Sequence, residues 1–269
     1  MDLELENRRA FVAGSSSGIG AGIAEGLARE GCEVIVHGRQ QERADEVVAK
    51  IRAAGGKAIT VIGDLSEMAS VDEFAARALE TGPIDILINS AGACQDVRDW
   101  FEVPMEYWHQ QYQISVVYSV QLIRAMVPAM IERGWGRVLN VSSTAAYRGM
   151  VRHPEYSASK IANLSVSATL AKRLGNSGVT ANTLVSGLVM TEHTERAARV
   201  SGESIGLDPD DPDFMGRVLR DAWDSHIPLG RGATMKEMAA AACFLVSGPA
   251  SFITGATLRV DGGGAGLSF

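Results

Sequence analysis

Tyr156 and Lys160 stand four residues apart in Tyr156-Ser157-Ala158-Ser159-Lys160, with Ser143 upstream at what reads as the end of a strand. On a helix that spacing puts the phenol and the ammonium on one face, one turn apart. A phenol with a reference pKa of about 10 is a poor proton shuttle at neutral pH. A fixed cation about 4 Å from the phenolate stabilises it by roughly 4 kcal/mol at an effective dielectric of ~20. At about 1.4 kcal/mol per pK unit, that brings the phenol within reach of pH 7. A hydroxyl and a tuned phenol can then share one carbonyl oxygen, polarising it and protonating it as hydride arrives. The pattern points to carbonyl chemistry, although a bare Tyr-x-x-x-Lys can fall on any surface helix by chance.

A second signal lies near the N-terminus, where Arg8-Arg9-Ala10-Phe11-Val12-Ala13 runs into Gly14-Ser15-Ser16-Ser17-Gly18-Ile19-Gly20. A helix-like pattern follows with Ile19, Ile23 and Leu27. Glycine permits the positive φ of a tight turn and lets main chain approach a pyrophosphate closely. The open N–H groups and positive dipole end of the next helix then face the phosphates.

The spacing Gly-x-x-x-Gly-x-Gly is one residue longer in its first gap than the usual dinucleotide fingerprint. With Asn89-Ser90-Ala91-Gly92, Ser143, Tyr156-x-x-x-Lys160 and Asp261-Gly262-Gly263, it closely resembles the short-chain dehydrogenase/reductase family, in order and spacing, over nearly the whole chain. The resemblance is to its 3-oxoacyl reductase-like members. It implies that Ser143 and Tyr156 bind the substrate oxygen, and that Tyr156 exchanges the proton. Lys160 would stabilise the tyrosinate and hold the ribose hydroxyls. By the family's spacing from the tyrosine, Ser143 rather than its neighbour Ser142 is the catalytic serine; adjacent strand residues point to opposite faces. The same resemblance assigns cofactor contacts to Gly14, Ser16, Ser17, Gly18, Ile19 and Gly20 in the glycine loop. It assigns the adenine contact to Asp64 and Leu65, and the carboxamide segment to Gly187, Val189 and Thr191. Asn89, Ala91 and Gly92 match the motif that supports the central sheet and lines the adenosine ribose, with a purely strand-tying role as the alternative for Asn89.

Several positions depart from the family pattern. Ala13 replaces the threonine that opens the glycine motif, and Ser90 replaces an asparagine. Ser186 stands where a proline normally precedes Gly187, so the loop over the nicotinamide is expected to be looser. Ser115 occupies the place of the asparagine that completes the family's catalytic tetrad, and no asparagine lies between Asn89 and Asn140. Ser115 is expected to be a weaker substitute that keeps the proton relay through water or a backbone carbonyl.

These residues need a scaffold, and short β-branched runs alternate with longer helical patterns. Strands are expected at 10–13, 33–37, 58–62, 84–89, 136–141, 180–184 and 257–260, with helices at 44–54, 70–80, 105–133, 155–174 and 235–246. Such alternation calls for right-handed crossovers and an α/β doubly wound parallel sheet, a Rossmann fold of about seven strands with helices on both faces. Ligands bind beyond the carboxyl ends of the strands, at the switch point. A chain of 269 residues with 46% hydrophobic content buries one core, and no composition break marks a second domain.

The formal net charge of −7, without a concentrated Lys/Arg run, argues against nucleic acid or an anionic membrane as partner. Neither a secretory signal nor a long uninterrupted apolar run is evident, so a cytoplasmic protein is expected. Cys32, Cys94 and Cys243 lie far apart without metal-ligand spacing, so neither a disulfide framework nor a metal site is expected.

Cofactor choice should rest on the loop after the second strand. An NAD-preferring site places a carboxylate there for the ribose 2′-hydroxyl. This chain has Gly38 and Arg39 instead. Arg39 can fork around a 2′-phosphate and Gly38 leaves room for it, which favours NADP(H) over NAD(H). An NAD-linked alcohol dehydrogenase, or a catalytically silent dinucleotide-binding sensor or scaffold, are the alternatives. The substrate pocket is expected from 93–101, 147–155 and 188–228, the last a lid-like segment longer than a minimal family member needs. Arg148, Arg152 and His153 could meet an acidic substrate, and Trp100, Met150 and Trp223 could line an apolar one; the favoured alternative is that the charges are ordinary solvated loop residues and the aromatics pack the lid. Family members pair their two long helices into tetramers or dimers. Val116, Val120, Ala125, Ala162, Ser165 and Ala168 make the corresponding helices here apolar beyond one stripe, so a homotetramer, with a dimer as the alternative, is expected.

Overall fold

Along the first strand, Ala10 and Val12 face one side of the sheet while Phe11 and Ala13 face the other, and each pair belongs to a separate core. The computed structural model describes residues 1–92, 99–223 and 225–265. Its strands are β1 (Arg9–Ala13), β2 (Glu33–Gly38), β3 (Lys57–Ile62), β4 (Ile86–Asn89), β5 (Gly136–Ser143), β6 (Val179–Ser186) and β7 (Thr257–Val260). They form one parallel sheet in the order β3-β2-β1-β4-β5-β6-β7.

On one face, helices α1 (Gly18–Arg29), α2 (Gln41–Ala53) and α10 (Met235–Leu245) pack Ile23, Leu27, Val47, Ile51 and Met238 against Val12, Val34, Ile88 and Leu139. On the other, α3 (Met68–Glu80), α5 (Tyr118–Glu132) and α7 (Pro154–Leu174) pack Phe74, Leu122, Met126 and Leu174 against Phe11, Ile35 and Leu87. Near-continuous apolar strands are what a sheet covered on both faces requires. The 28-residue helical run Met105–Glu132 matches a bilayer span in length and apolarity, but half of its most apolar window is buried inside the protein.

The chain winds from β1 outward to β3 and then returns to place β4 on β1's other side. Ala13 therefore pairs with Asn89 at the point where the winding direction reverses. The glycine loop leaves β1, and the Ser90-Ala91-Gly92 segment leaves β4, at the same end of the sheet.

Strands β5 and β6 run two residues past the expected ends, because Ser142↔Val185 and Ser143↔Ser186 continue the ladder after the apolar pattern has stopped. β4 starts later than expected, at Ile86; the Asp85 carboxylate just before it accepts from the Arg9 backbone N–H. The helix expected at 105–133 is interrupted. α4 (Met105–Tyr112) passes into a π-helical turn, Gln113–Val117, before α5 begins. The remaining helices are α6 (Ala145–Arg148), α8 (Glu192–Ser204) and α9 (Phe214–Arg217). Over 188–223, α8 and α9 enclose a small core of Ala198, Leu207 and Val218 with Phe214 and Trp223, and Trp223 Nε1 donates to Ser201 Oγ at 2.9 Å.

Candidate active site

β5 carries two adjacent serines to the edge of the site, and the pleat sends them apart. Ser142 Oγ is buried and donates to the Lys160 carbonyl of α7 at 2.8 Å. Ser143 Oγ accepts from the Ala145 N–H at 3.2 Å and lines a cavity of about 730 Å³ together with Tyr156. Lys160 sits one turn after Tyr156, almost wholly buried, with Nζ 5.4 Å from the phenol ring centroid. Its ammonium donates to the Ala91 and Val141 carbonyls at 3.5 and 3.4 Å, so both ends of the switch region hold it.

The glycine loop fits a pyrophosphate. Gly14 and Gly18 have positive φ, and a Cβ on Gly14 would come within 2.8 Å of Ala91 Cα. Ser17 is the N-cap of α1 but its side chain makes no cap, which leaves the first-turn N–H groups open to an anion. The loop is fastened from beneath. Ser15 N donates to the His37 carbonyl, His37 N donates to Ser15 Oγ, and Gly14 N donates to His37 Nδ1. Burial pulls the His37 imidazole down to about 4, so it is neutral and able to accept. Ile19 and Thr191 line the same cavity as Tyr156, and Gly18 lies against the Thr191 methyl.

Gly187 and Val189 line that cavity too. The segment is pinned rather than looser, contrary to the expectation from Ser186. Ser186 Oγ donates to the Ser142 carbonyl, Thr144 N donates to the Ser186 carbonyl, and Val189 bridges to Ala233. The serine hydroxyl supplies a hydrogen bond where a proline would supply only stiffness.

At the adenine end, burial opposes the charge of Asp64, but hydrogen bonds from Ser66 N and Oγ, with Arg39 nearby, hold its carboxyl below the usual range. The Leu65 carbonyl accepts from Gln113 Nε2. Arg39 is exposed at the end of β2. The room beside Gly38 is filled by Ser16, whose side chain a Cβ there would strike. Gly38 thus serves the packing of Ser16, which corrects the expectation that it opens space for a phosphate.

Asn89 takes the sheet-supporting role. Its side chain is buried and donates to Asn140 Oδ1 at 2.8 Å, and Asn140 in turn donates to Ser167 Oγ on α7. The amide ties β4 to β5 and α7 and supports the site from within. Ala91 N donates to the Tyr118 hydroxyl at 3.1 Å. Ser115 lies buried in the π-helical turn, and its Oγ accepts from Gln111 Nε2 at 2.7 Å.

Of the expected pocket residues, Arg148, Met150, Arg152 and Trp223 line the cavity, whereas His153 is buried beneath it and Trp100 packs on Phe101 and Trp108. Residues 93–98 of the expected wall lie outside the described residues. Thr194 and Ile227, within the expected 188–228 wall, also line the cavity, as do Thr144 and Asp261, which fall outside the expected walls because the fold brings them in from the ends of β5 and β7. Gln111 carries no signal of its own in the sequence, since Glu106, His109, Gln110 and Gln113 make its surroundings equally polar; only its burial in the fold singles it out.

With this geometry in place, comparison with known proteins is decisive. A family model described as enoyl-(acyl carrier protein) reductase matches residues 13–265. The chain belongs to the short-chain dehydrogenase/reductase family. It is 34% identical to D-threitol dehydrogenase of Mycolicibacterium smegmatis, over 97% of this chain and 94% of that protein. It is also 34% identical to gluconate 5-dehydrogenase of Gluconobacter oxydans, over 96% and 95% of the two chains. The structure of L-sorbose reductase from Gluconobacter frateurii, complexed with NADPH and L-sorbose, superposes with a TM-score of 0.91 at 29% identity, covering all of both chains. This short-chain dehydrogenase/reductase is accordingly an oxidoreductase that transfers hydride between a nicotinamide dinucleotide and a carbonyl or alcohol.

Proposed function

We propose that the enzyme is an NADP(H)-dependent carbonyl reductase and alcohol dehydrogenase acting on a small polyhydroxylated ketone that bears a carboxylate. The observation that carries the reading is the single cavity in which Ser143 and Tyr156 meet Ile19 of the glycine loop and Gly187, Val189 and Thr191. The nicotinamide, when bound, supplies or accepts the hydride. The Ser143 hydroxyl and Tyr156 phenol hydrogen-bond the substrate oxygen, and the phenol passes the proton to it. Lys160, one turn away and fastened to the Ala91 and Val141 carbonyls, favours the tyrosinate. Gly14, Ser16, Ser17, Gly18, Ile19 and Gly20 hold the pyrophosphate, Arg39 the 2′-phosphate and Asp64 the adenine.

Substrate class follows from the mouth of the cavity. Arg148 and Arg152 both line it, and among the described residues neither has a carboxylate partner. Asp261, on the opposite wall, is already engaged by the Gly263 and Ala265 N–H groups. The balance favours an anionic substrate, in keeping with the similarity to gluconate 5-dehydrogenase, and the 188–228 segment closes over it as a lid. Gluconate, threitol, L-sorbose and a 3-oxoacyl thioester, assayed by NADPH absorbance in both directions, test this. The acid is expected to give the highest kcat/KM, and Arg148→Ala with Arg152→Ala to raise its KM about tenfold or more while leaving neutral sugars unchanged. Equal losses on neutral and acidic substrates would refute the assignment of the arginines.

The enzyme is a homotetramer in this reading, joined through α5 and α7. Val120 and Ile161 project outward from these helices, 37% and 45% exposed in the single chain. Native mass spectrometry tests it, and a monomer would overturn it. Buried free thiols at Cys32 and Cys243 suit the reducing cytoplasm.

A further inference from the structure

We propose that Gln111 is a positioning residue of the proton relay, and that its amide does from one turn earlier what the family's tetrad asparagine does from position 115. The inference rests on the Tyr156–Lys160 chemistry above. Gln111 is fully buried and is the one buried residue of α4. Its Nε2 donates to Ser115 Oγ at 2.7 Å and reaches Ser159 Oγ at 3.4 Å. Ser159 immediately precedes Lys160 and donates to the Tyr156 carbonyl at 2.8 Å, so this one amide touches both the Ser115 turn and the helix that carries the phenol and the ammonium.

Ser115 in turn faces Lys160. A Cβ placed on Gly92 would lie 2.8 Å from Ser115 Oγ and 3.0 Å from Lys160 Nζ, so hydroxyl and ammonium both border the space that the bare glycine leaves. The π-helical turn Gln113–Val117 inserts an extra residue into the helix there and sets the angle at which Ser115 projects. Because the hydroxyl accepts from Gln111, its own proton points away from the amide, and its second lone pair stays open to a donor on the lysine side of the gap. The other end of the amide, Oε1, is buried without a hydrogen-bond partner among the described residues. Amide oxygen and nitrogen are nearly isosteric, and either orientation leaves one polar end unsatisfied. A buried polar group of that kind marks a site where a further donor or acceptor belongs. Gln111 and Ser115 therefore form one unit. The amide fixes the hydroxyl, and the two together offer polar atoms to the water chain that relays protons to Lys160 and Tyr156.

Steady-state kinetics of the whole enzyme with NADPH test the unit, using Gln111→Met, Ser115→Ala, the double variant, Gln111→Val/Ser115→Asn, and Tyr156→Phe as the control for the underlying chemistry. Gln111→Met and Ser115→Ala are each expected to lower kcat about tenfold with KM for NADPH within about twofold. Both should move the phenol limb of the kcat/KM pH profile upward, and the double variant should lose no more than either single one. Gln111→Val/Ser115→Asn, which moves the amide to the family position, should recover most of the loss. Unchanged kcat and pH limb in Gln111→Met, with only a lower Tm, would overturn the proposal, as would additive losses or no recovery in the swapped variant. Tyr156→Phe separates the two readings. If it retains wild-type turnover, the phenol chemistry itself fails. If no ketone is turned over, tyrosinate absorbance of each variant minus its Tyr156→Phe counterpart reports the same phenol directly. An upward shift in Gln111→Met then supports the unit, and no shift overturns it.

Discussion

Ser142 and Ser143 are neighbours in sequence and identical in chemistry, yet replacing each by alanine should produce opposite phenotypes. Ser142 Oγ is buried and donates to the Lys160 carbonyl, linking β5 to the helix that carries the lysine. Removing it forfeits one buried neutral hydrogen bond, about 1 kcal/mol. For a domain of this size that lowers Tm by about 2–4 °C. Catalysis should fall only a few fold, since Lys160 Nζ keeps its contacts to Ala91 and Val141. Ser143 Oγ instead faces the cavity, and its one protein contact is acceptance from the Ala145 N–H. Ser143→Ala should leave Tm within about 1 °C, because the hydroxyl is partly solvated and its loss is a surface-like change. It should cost roughly 10²–10³ in kcat, the usual effect of removing one donor aimed at a developing oxyanion. Differential scanning calorimetry and NADPH-linked turnover on the same preparations read both axes. If Ser142→Ala proved the inactive variant while Ser143→Ala unfolded early, the argument from strand pleat to chemical role would be wrong.

Four further outcomes follow from the site and the core beneath it. The His37 imidazole is lowered from 6.5 to about 4 by burial, so the unfolded chain binds its proton at a higher pH than the native one. Stability is then full above pH 6.5 and lost as pH falls toward 4, by up to about 3 kcal/mol; a His37→Phe variant should show a flatter Tm–pH curve across that window, and an identical slope would refute it. Because His37 Nδ1 accepts from Gly14 N and the folded imidazole takes its proton only near pH 4, NADPH affinity measured by fluorescence should hold down to about pH 5 and weaken as pH falls to about 4. Arg39→Ala should raise Kd for NADPH about tenfold and leave NADH unchanged, whereas equal binding of both dinucleotides before and after the change would favour an NAD-linked enzyme. Burial pushes the Cys32 and Cys243 thiols up to about 12, so peptide mapping after alkylation of the native protein near neutral pH should find both unmodified until denaturant is added.

Local pattern alone determined a good deal of this protein. Alternating β-branched runs and helical stretches specified the parallel sheet, because strands buried on both faces must be apolar throughout. The glycine spacing and the Tyr-x-x-x-Lys turn specified where dinucleotide and proton chemistry belong, because φ and helix pitch are properties of a few adjacent residues. Tertiary structure decided the rest. Pleat direction at Ser142 and Ser143 shows in the sequence only as parity, and the partner that each hydroxyl meets depends on where α7 packs. Gly38 was read as open space until Ser16, from another loop, filled it. The sequence leaves Asn89 between lining a ribose and tying strands, and the position of Asn140 in the fold gives its amide a strand partner. The pairing of Gln111 with Ser115 depends on a π-helical turn that rotates one residue relative to the next, and its nearness to Lys160 depends on Gly92 having no side chain. Contacts made across long sequence separation are set by how the layers settle against each other, so they become readable only when the chain has folded.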